Sequence, residues 1–278
     1  MRHAVCQKRE ASGNLQDLRR RPAVFKSSRT AMENSHQLKR WLRNTVHKQG
    51  EVVIGIGVDP QVGMGQRALL VRDAEGNVMW DCVPLLDDAL LNLVQALDGL
   101  QVIAVSHPHF HTSMVDWAHA FDCVIFIHAR NRNWVPRPDR SIQFWEGETK
   151  EIGRHMTLIH CGGYFPGSSV LHHDFDGGKL FTGDTFYVNP DLQSITMMYA
   201  FPNYIPVSAA TVRHVVGAVE RFECRRLYGQ WWDAVIQEDG RDVIRRSAER
   251  YIAAIKGKYD SQLETNPHAA SIPSRRGL

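Results

Sequence analysis

The run Val102-Ile103-Ala104-Val105-Ser106-His107-Pro108-His109-Phe110-His111-Thr112 decides the reading of the chain. Four consecutive apolar residues mark a short strand buried on both faces, and the loop behind them sets three histidines at i, i+2 and i+4. A tight loop brings such imidazoles together, and imidazole is the commonest protein ligand for zinc. Loops at the carboxyl ends of buried strands are also where α/β sheets place their sites. In a chain with 14 histidines, a histidine-rich surface loop is the alternative.

Two further segments follow apolar strands. One is His160-Cys161-Gly162-Gly163-Tyr164-Phe165-Pro166-Gly167-Ser168, the other Leu180-Phe181-Thr182-Gly183-Asp184-Thr185. An Asp presented by a glycine at a strand end serves either as a metal carboxylate or as a turn cap. Each segment alone is commonplace, and the information lies in their order: HxH, then GG-x-x-PG, then TGD. Around them the pattern predicts strands at Val52–Gly57, Arg67–Arg72, Val78–Trp80, Val124–Ile127, Met156–Cys161, Ser169–Asp174, Lys179–Phe186 and Arg226–Tyr228. Predicted helices run from a cap at Asp87 to a stop at Gly99, through Met114–Phe121, from a cap at Ser208 through Val219, and over Gly240–Ile255. Strand hairpins with helical segments between them imply two sheets sandwiched by helices.

The 278 residues are 43% hydrophobic and 23% charged, ample for a core and incompatible with wholesale disorder. No apolar run reaches membrane-spanning length. Five cysteines without a CxxC pair argue against a disulfide scaffold and for a reducing, cytoplasmic setting. The first 50 residues hold twelve Lys and Arg against three acids, Glu10, Asp17 and Glu33, while the rest of the chain is mildly acidic. This divides the chain into a basic extension (1–45), a main domain (46–257) and a polar tail (258–278). The extension reads as a solvated tail, a mitochondrial targeting segment or an arm for an acidic partner. No basic stripe interleaved with aromatics points the main domain at nucleic acid. The expected partner is a small-molecule substrate, and the oligomeric state stays open.

The ordered motifs resemble those of the metallo-β-lactamase superfamily, from about Gly65 to Tyr251. The stretches Gly65–Val71, Gly76–Cys82, Phe144–Gly147 and Tyr228–Trp232 are similar to a mostly bacterial, uncharacterised branch of it. The resemblance implies an α/β fold, an αβ/βα sandwich of two mixed sheets flanked by helices, with a metal site on one edge between the sheets. Matched residue by residue, His107 and His109 correspond to the first two ligands of the HxHxDH motif, Asp184 to the carboxylate that bridges or closes the site, and Asp81 to a strand-end Asp that supports it. Several positions depart. His111 stands where the motif has its Asp, Thr112 where it has its second-metal His, and Tyr164 where the GHxxG loop has a metal His. Gln230 or Trp231 falls near the final metal His, and Cys6 is alone where relatives carry a cysteine pair.

A dinuclear centre lacks its ligands on this reading, which leaves one divalent metal. Zn²⁺ suits it best, with Fe²⁺ or Mn²⁺ as alternatives and an apo form left open. His107, His109 and Asp184 are the expected ligands, with His111 a fourth ligand or a donor to substrate. The implied chemistry is attack of a metal-activated water on an ester, thioester, amide or lactone, with Asp184 or His111 as base and Tyr164 donating to the oxyanion. A lyase, decarboxylase or isomerase, or a ligand-binding pseudoenzyme, is the alternative. Cys161 and His160 are disfavoured as a nucleophile–base pair, because neighbours on a strand face opposite ways. Trp231 and Trp232 are expected to wall a substrate pocket. Arg130 and Arg132 either steer an anionic substrate or lie in a solvated loop. Of His172 and His173, one is expected in the core and one exposed.

Overall fold

The computed structural model describes residues 40–201 and 203–261. Side chains alternate along β2 (Val53–Asp59): Ile54, Ile56 and Val58 enter one core, Val53 another. That two-residue period builds two cores on either face of one sheet. The sheet runs in the order β1 (Arg43–Lys48), β2, β3 (Ala68–Val71), β4 (Val78–Trp80), β5 (Val102–Ala104), β6 (Val124–His128) and β7 (Ile142–Trp145). Its first four strands are antiparallel, and β4 to β7 are parallel. Helices α1 (Asp88–Ala96) and α2 (Met114–Phe121) cover its outer face. The Asp87 carboxylate caps α1 by accepting the Leu90 N–H at 2.8 Å.

The second sheet runs β15 (Val235–Ile236), β14 (Arg226–Gly229), β11 (Lys179–Gly183), β10 (Ser169–His173), β9 (Met156–His160) and β8 (Thr149–Glu151). Only its β11–β14 pair is parallel. Helices α3 (Ala209–Val219) and α4 (Gly240–Ile255) cover it from outside. A small ribbon of β12 (Tyr187–Val188) and β13 (Ile195–Thr196) stands apart. The sheets face each other across Val53, Leu69, Trp80, Ala104, Phe126, Leu158, Leu171, Phe181 and Tyr228. The result is the four-layer α/β sandwich expected from sequence.

This topology decides where a site can form. Parallel β4 and β5 deliver Asp81 and Ser106 to one edge of the first sheet, and parallel β11 and β14 deliver Asp184 and Gln230 to an edge of the second. The two edges are stitched together: Ser169 N–H donates to Ser106 O at 3.0 Å and Arg67 N–H to Gln230 O at 2.8 Å.

Several expectations are corrected. Strand β1 begins at Arg43 and so crosses the boundary drawn at residue 45. The predicted strand Lys179–Phe186 ends at Gly183, where the backbone turns to φ +52. His172 and His173 are both buried, because β10 is a central strand covered on both faces. The chain before residue 40, with Cys6, and the chain from 262 onward lie outside the described residues. No described helix is long and apolar enough to cross a membrane.

Candidate metal centre

The centre starts from a strand end. Asp81 follows β4 in the left-handed region, φ +63, which Asp tolerates better than most residues. This turns its buried carboxylate toward the next parallel strand. Asp81 Oδ1 accepts the Ser106 N–H at 2.7 Å, and Oδ2 accepts the Ser106 hydroxyl at 2.9 Å and the Gln230 side-chain amide. Burial pushes the Asp81 carboxyl up to about 7, against the opposing pull of His107 and Ser106.

Ser106 has one hydroxyl proton, and Asp81 takes it. The 2.7 Å contact between Ser106 Oγ and His107 Nδ1 is therefore donated by the imidazole. That fixes the tautomer: His107 carries its proton on Nδ1 and offers the Nε2 lone pair outward. Nε2 stands 3.2 Å from His109 Nδ1 and 3.4 Å from Asp184 Oδ2. One ligand atom each from His107, His109 and Asp184 falls within a 4.8 Å group. Ligand atoms about 2.0–2.1 Å from a tetrahedral zinc stand about 3.3 Å apart, so these spacings fit a shared cation. Two imidazole nitrogens and a carboxylate oxygen are also the right donors for it.

Asp184 comes from the second sheet. Gly183 before it cannot carry a side chain, since a Cβ there would sit 2.7 Å from the Ser106 Cβ. The Gln66 amide donates to both Asp184 oxygens, at 2.9 and 3.0 Å. The Tyr164 hydroxyl lies against the same carboxylate and accepts the Phe201 N–H at 3.0 Å. Burial works to raise the Asp184 carboxyl, but His107, His109 and Tyr164 outweigh it and hold it below its ordinary value. Burial and the Asp184 charge push the Tyr164 phenol strongly up, so it stays a proton donor.

The structure brings together His107, His109, Asp184, Tyr164 and, one layer behind, Asp81. It does not bring His111 into the ligand group. His111 Nδ1–H donates to Trp134 O at 3.1 Å, and its buried Nε2 has no partner. Burial holds the ring down to about 4 despite that bond. Trp231 and Trp232 part ways. Trp231 donates to Met64 O at 3.2 Å, with its ring 4.6 Å from Tyr187. Trp232 lies over β2, where a Cβ on Gly57 would meet its ring at 2.4 Å, and 4.6 Å from the His47 ring. Placing Trp232 on the pocket wall is therefore corrected, because the glycines of β2 open a slot that takes it. Cys161 is buried, its thiol raised far above the ordinary range by burial alone, which makes it no nucleophile.

Three residues without an expected role complete the centre: Gln66, Ser106 and Gln230. Ser106 sits inside the quoted histidine run, and its place between Asp81 and His107 needs only the parallel pairing of β4 and β5. Gln66 gives no local signal, because its partner is 118 residues away.

Against known proteins, no family model matches the chain. It is 36% identical over 232 residues to the uncharacterised protein YmaE of Bacillus subtilis (strain 168), covering 82% of this chain and 84% of that one. Among solved structures it resembles a B3 metallo-β-lactamase with an active-site glutamic acid, at TM-score 0.53 and 16% identity, over 83% of this chain and 96% of the other. VMB-1 aligns at TM-score 0.57 and 13% identity, over 77% and 98%. The chemotaxis sensor ODP, solved as a peroxy diiron species, aligns at 0.54 and 15%, over 75% and 94%. The chain belongs to the family of YmaE, and its fold is that of the metallo-β-lactamases.

Proposed function

We propose that the chain is a metal-dependent hydrolase that attacks an ester, thioester, amide or lactone carbonyl of a small organic substrate with a single divalent ion. The observation that carries this is the convergence of His107 Nε2, His109 Nδ1 and Asp184 Oδ2, with the first aimed by Asp81 through Ser106. The three side chains would hold the ion, zinc being the best match to the donors. When bound, such an ion supplies Lewis acidity and a water of lowered pKa.

The chain's own residues do the rest. Gln66 and Tyr164 orient the Asp184 carboxylate from two sides. The Gln66 amide also presents donors beside the carboxylate where a second cation would otherwise neutralise it, which favours one metal over two. Tyr164 is protonated, and its one hydroxyl proton, held by Asp184 at rest, would leave that carboxylate for the oxyanion as the carbonyl becomes tetrahedral. His111, held neutral at physiological pH with its buried Nε2 unpaired, would serve as the base for the attacking water. That proton passes to the leaving oxygen, sulfur or nitrogen as its bond to the carbonyl carbon breaks.

Elemental analysis of the purified protein tests this reading. About one equivalent of metal per chain is expected, lost together with ester hydrolysis in His107→Ala. Protein that stays below about a tenth of an equivalent after incubation with zinc overturns it. A second reading, a metal-free ligand-binding protein on this scaffold, is favoured by the bonds that already satisfy Asp184, and the same measurement separates the two.

A further inference from the structure

The outer helix layer carries a cleft of about 430 Å³, within the size range of small-molecule sites. One wall is the face of α4 that bears Arg246, Glu249 and Arg250, three and four residues apart. The end of the turn between β12 and β13 makes the second wall, and Lys258 and Tyr259 beyond the helix make the third. No residue of the metal centre lines it.

Local chemistry sets each wall. The Ile195 N–H donates to the Ser247 hydroxyl at 3.1 Å and Arg246 Nη2 to Gln193 O at 3.3 Å, which hold the turn against the helix. At the other end Gly257, φ +79, stops the helix in a left-handed turn. Its N–H donates to Ala254 O at 2.9 Å, and the Lys258 N–H to Ala253 O at 3.1 Å. The turn folds Lys258 and Tyr259 back to the cleft. It also covers two of the helix-end carbonyls that would otherwise repel an anion.

Charge says what belongs there. The acids of α4 are engaged by Arg245, whose guanidinium meets Asp242 and Glu249 at 3.3 Å each. Arg246 and Arg250, four residues apart, remain as a like-charged pair, which repels along a helix. Among the described residues neither Arg250 nor Lys258 has an ion pair or a side-chain hydrogen bond, and Arg246 has only the Gln193 carbonyl. Asp191 adds to the field at Arg250. Its carboxylate, however, is filled by the Gln193 N–H at 2.9 Å and by the Ser194 N–H and hydroxyl at 3.0 and 2.7 Å. The rest of the chain brings no compensating charge: the first 50 residues are strongly basic, and 262–278 hold Glu264 against Arg275 and Arg276. Three lining cations over one lining acid match a phosphate monoester, which carries about −1.5 to −2 at pH 7. Guanidinium forks also suit its oxygens. A bare phosphate fills only a small part of the volume, so the ligand has an organic body.

We infer that this cleft binds a phosphorylated small molecule of about nucleotide size. Arg250 and Lys258, with Arg246, hold its phosphate, and its body lies against Ala253 and Tyr259. The site stands or falls independently of the hydrolase reading.

Calorimetric titration of the full-length chain with adenosine monophosphate, adenosine and inorganic phosphate tests this. The monophosphate is expected to bind about 10-fold or more tighter than adenosine, which lacks the charge, and than phosphate, which lacks the body. Arg250→Gln combined with Lys258→Gln should lower that affinity about 10-fold or more. Both side chains are exposed, so the urea midpoint of the double variant should match that of the wild type. Protein stripped of metal with a chelator and dialysed should bind as before, which separates the cleft from phosphate held at the metal centre. No binding of the monophosphate, affinity no better than for adenosine or phosphate, affinity kept in the folded double variant, or affinity lost with the metal overturns the inference.

Discussion

His107 and Asp184 at one edge of the sandwich, and His173 and Asp73 at the other, use the same two residue types, each largely hidden from water. Their distances are close, 3.4 and 3.1 Å, yet the pairs do different things. At the far edge Lys179 sits opposite His173 across the β10–β11 ladder and donates its ammonium to Phe175 O at 2.7 Å. Asp73 is saturated by the His173 ring and by the Glu75 N–H at 2.9 Å. A resident cation and the lack of a third convergent donor make this a structural pair. At the near edge His109 supplies the third donor, and Ser106 turns the His107 lone pair into the gap. The difference teaches that a metal site is a matter of where protons are held, beyond which residues meet.

Removing one imidazole from each edge gives the sharpest test of that contrast. His107→Ala is expected to lower zinc affinity about 100-fold or more, read by competition with a metallochromic chelator, since even outer partners of ligands are worth 10–100-fold. His173→Ala should leave zinc affinity unchanged and instead cost about 2–3 kcal/mol in a urea melt, because Asp73 loses its buried partner. Equal loss of zinc affinity in both variants would erase the distinction between the two edges.

A finer cut keeps every ligand and removes the proton holder. Ser106→Ala should weaken zinc binding about 10-fold, at the low end of the range for outer partners, since His107 is then free to carry its proton on either nitrogen. Ser106→Thr, which retains the hydroxyl, should recover most of it. Unchanged affinity in the alanine variant would mean that His107 is oriented by packing against Phe110 and Tyr164, 5.0 and 4.9 Å away.

The contrast between edges also marks what could be read from the sequence. Fully apolar Val102–Val105 and Val124–Ile127 announce buried parallel strands, and the HxH and TGD motifs announce which edge carries chemistry. Strand β1, Arg43-Asn44-Thr45-Val46-His47-Lys48, escapes notice because an edge strand covered on one side needs no apolar run. β8 escapes for the same reason. His111 looks like a ligand by spacing, but the Trp134 carbonyl, 23 residues on, claims its Nδ1 and turns the ring. Gln66 and Gln230 acquire their roles only when two sheets meet, as partners of Asp184 and Asp81 from other parts of the chain. The pair Trp231-Trp232 reads as one feature, but the two side chains serve different places once β14 has ended.

The last test is a pH slope that Asp81 gives the near edge. Asp81 has an ordinary value of 3.8 and is pushed up to about 7 by burial. Between these values the folded chain holds a proton that the unfolded chain has released, so folding is favoured by acid in this window. The contribution is fully present below about pH 4 and is lost as pH rises through about 7. Metal-free protein should therefore lose stability from this group between pH 4 and 7, and Asp81→Asn, which has no proton to lose, should not. Other groups titrate in the same range, the His111 ring among them with the opposite sign, since a histidine held down to about 4 makes folding weaker as acid is added. They are common to both proteins, so the difference between the two urea-midpoint curves isolates Asp81. Asn keeps the left-handed turn, and its amide can pair with the Gln230 Oε1 that now has no partner. Asp73, held below its ordinary value at the far edge, predicts a slope of the other sign for its own Asn variant. Parallel curves for wild type and Asp81→Asn would show that the strand-end carboxylate is ionised throughout, and that His107 is held by a full negative charge at every pH above 4.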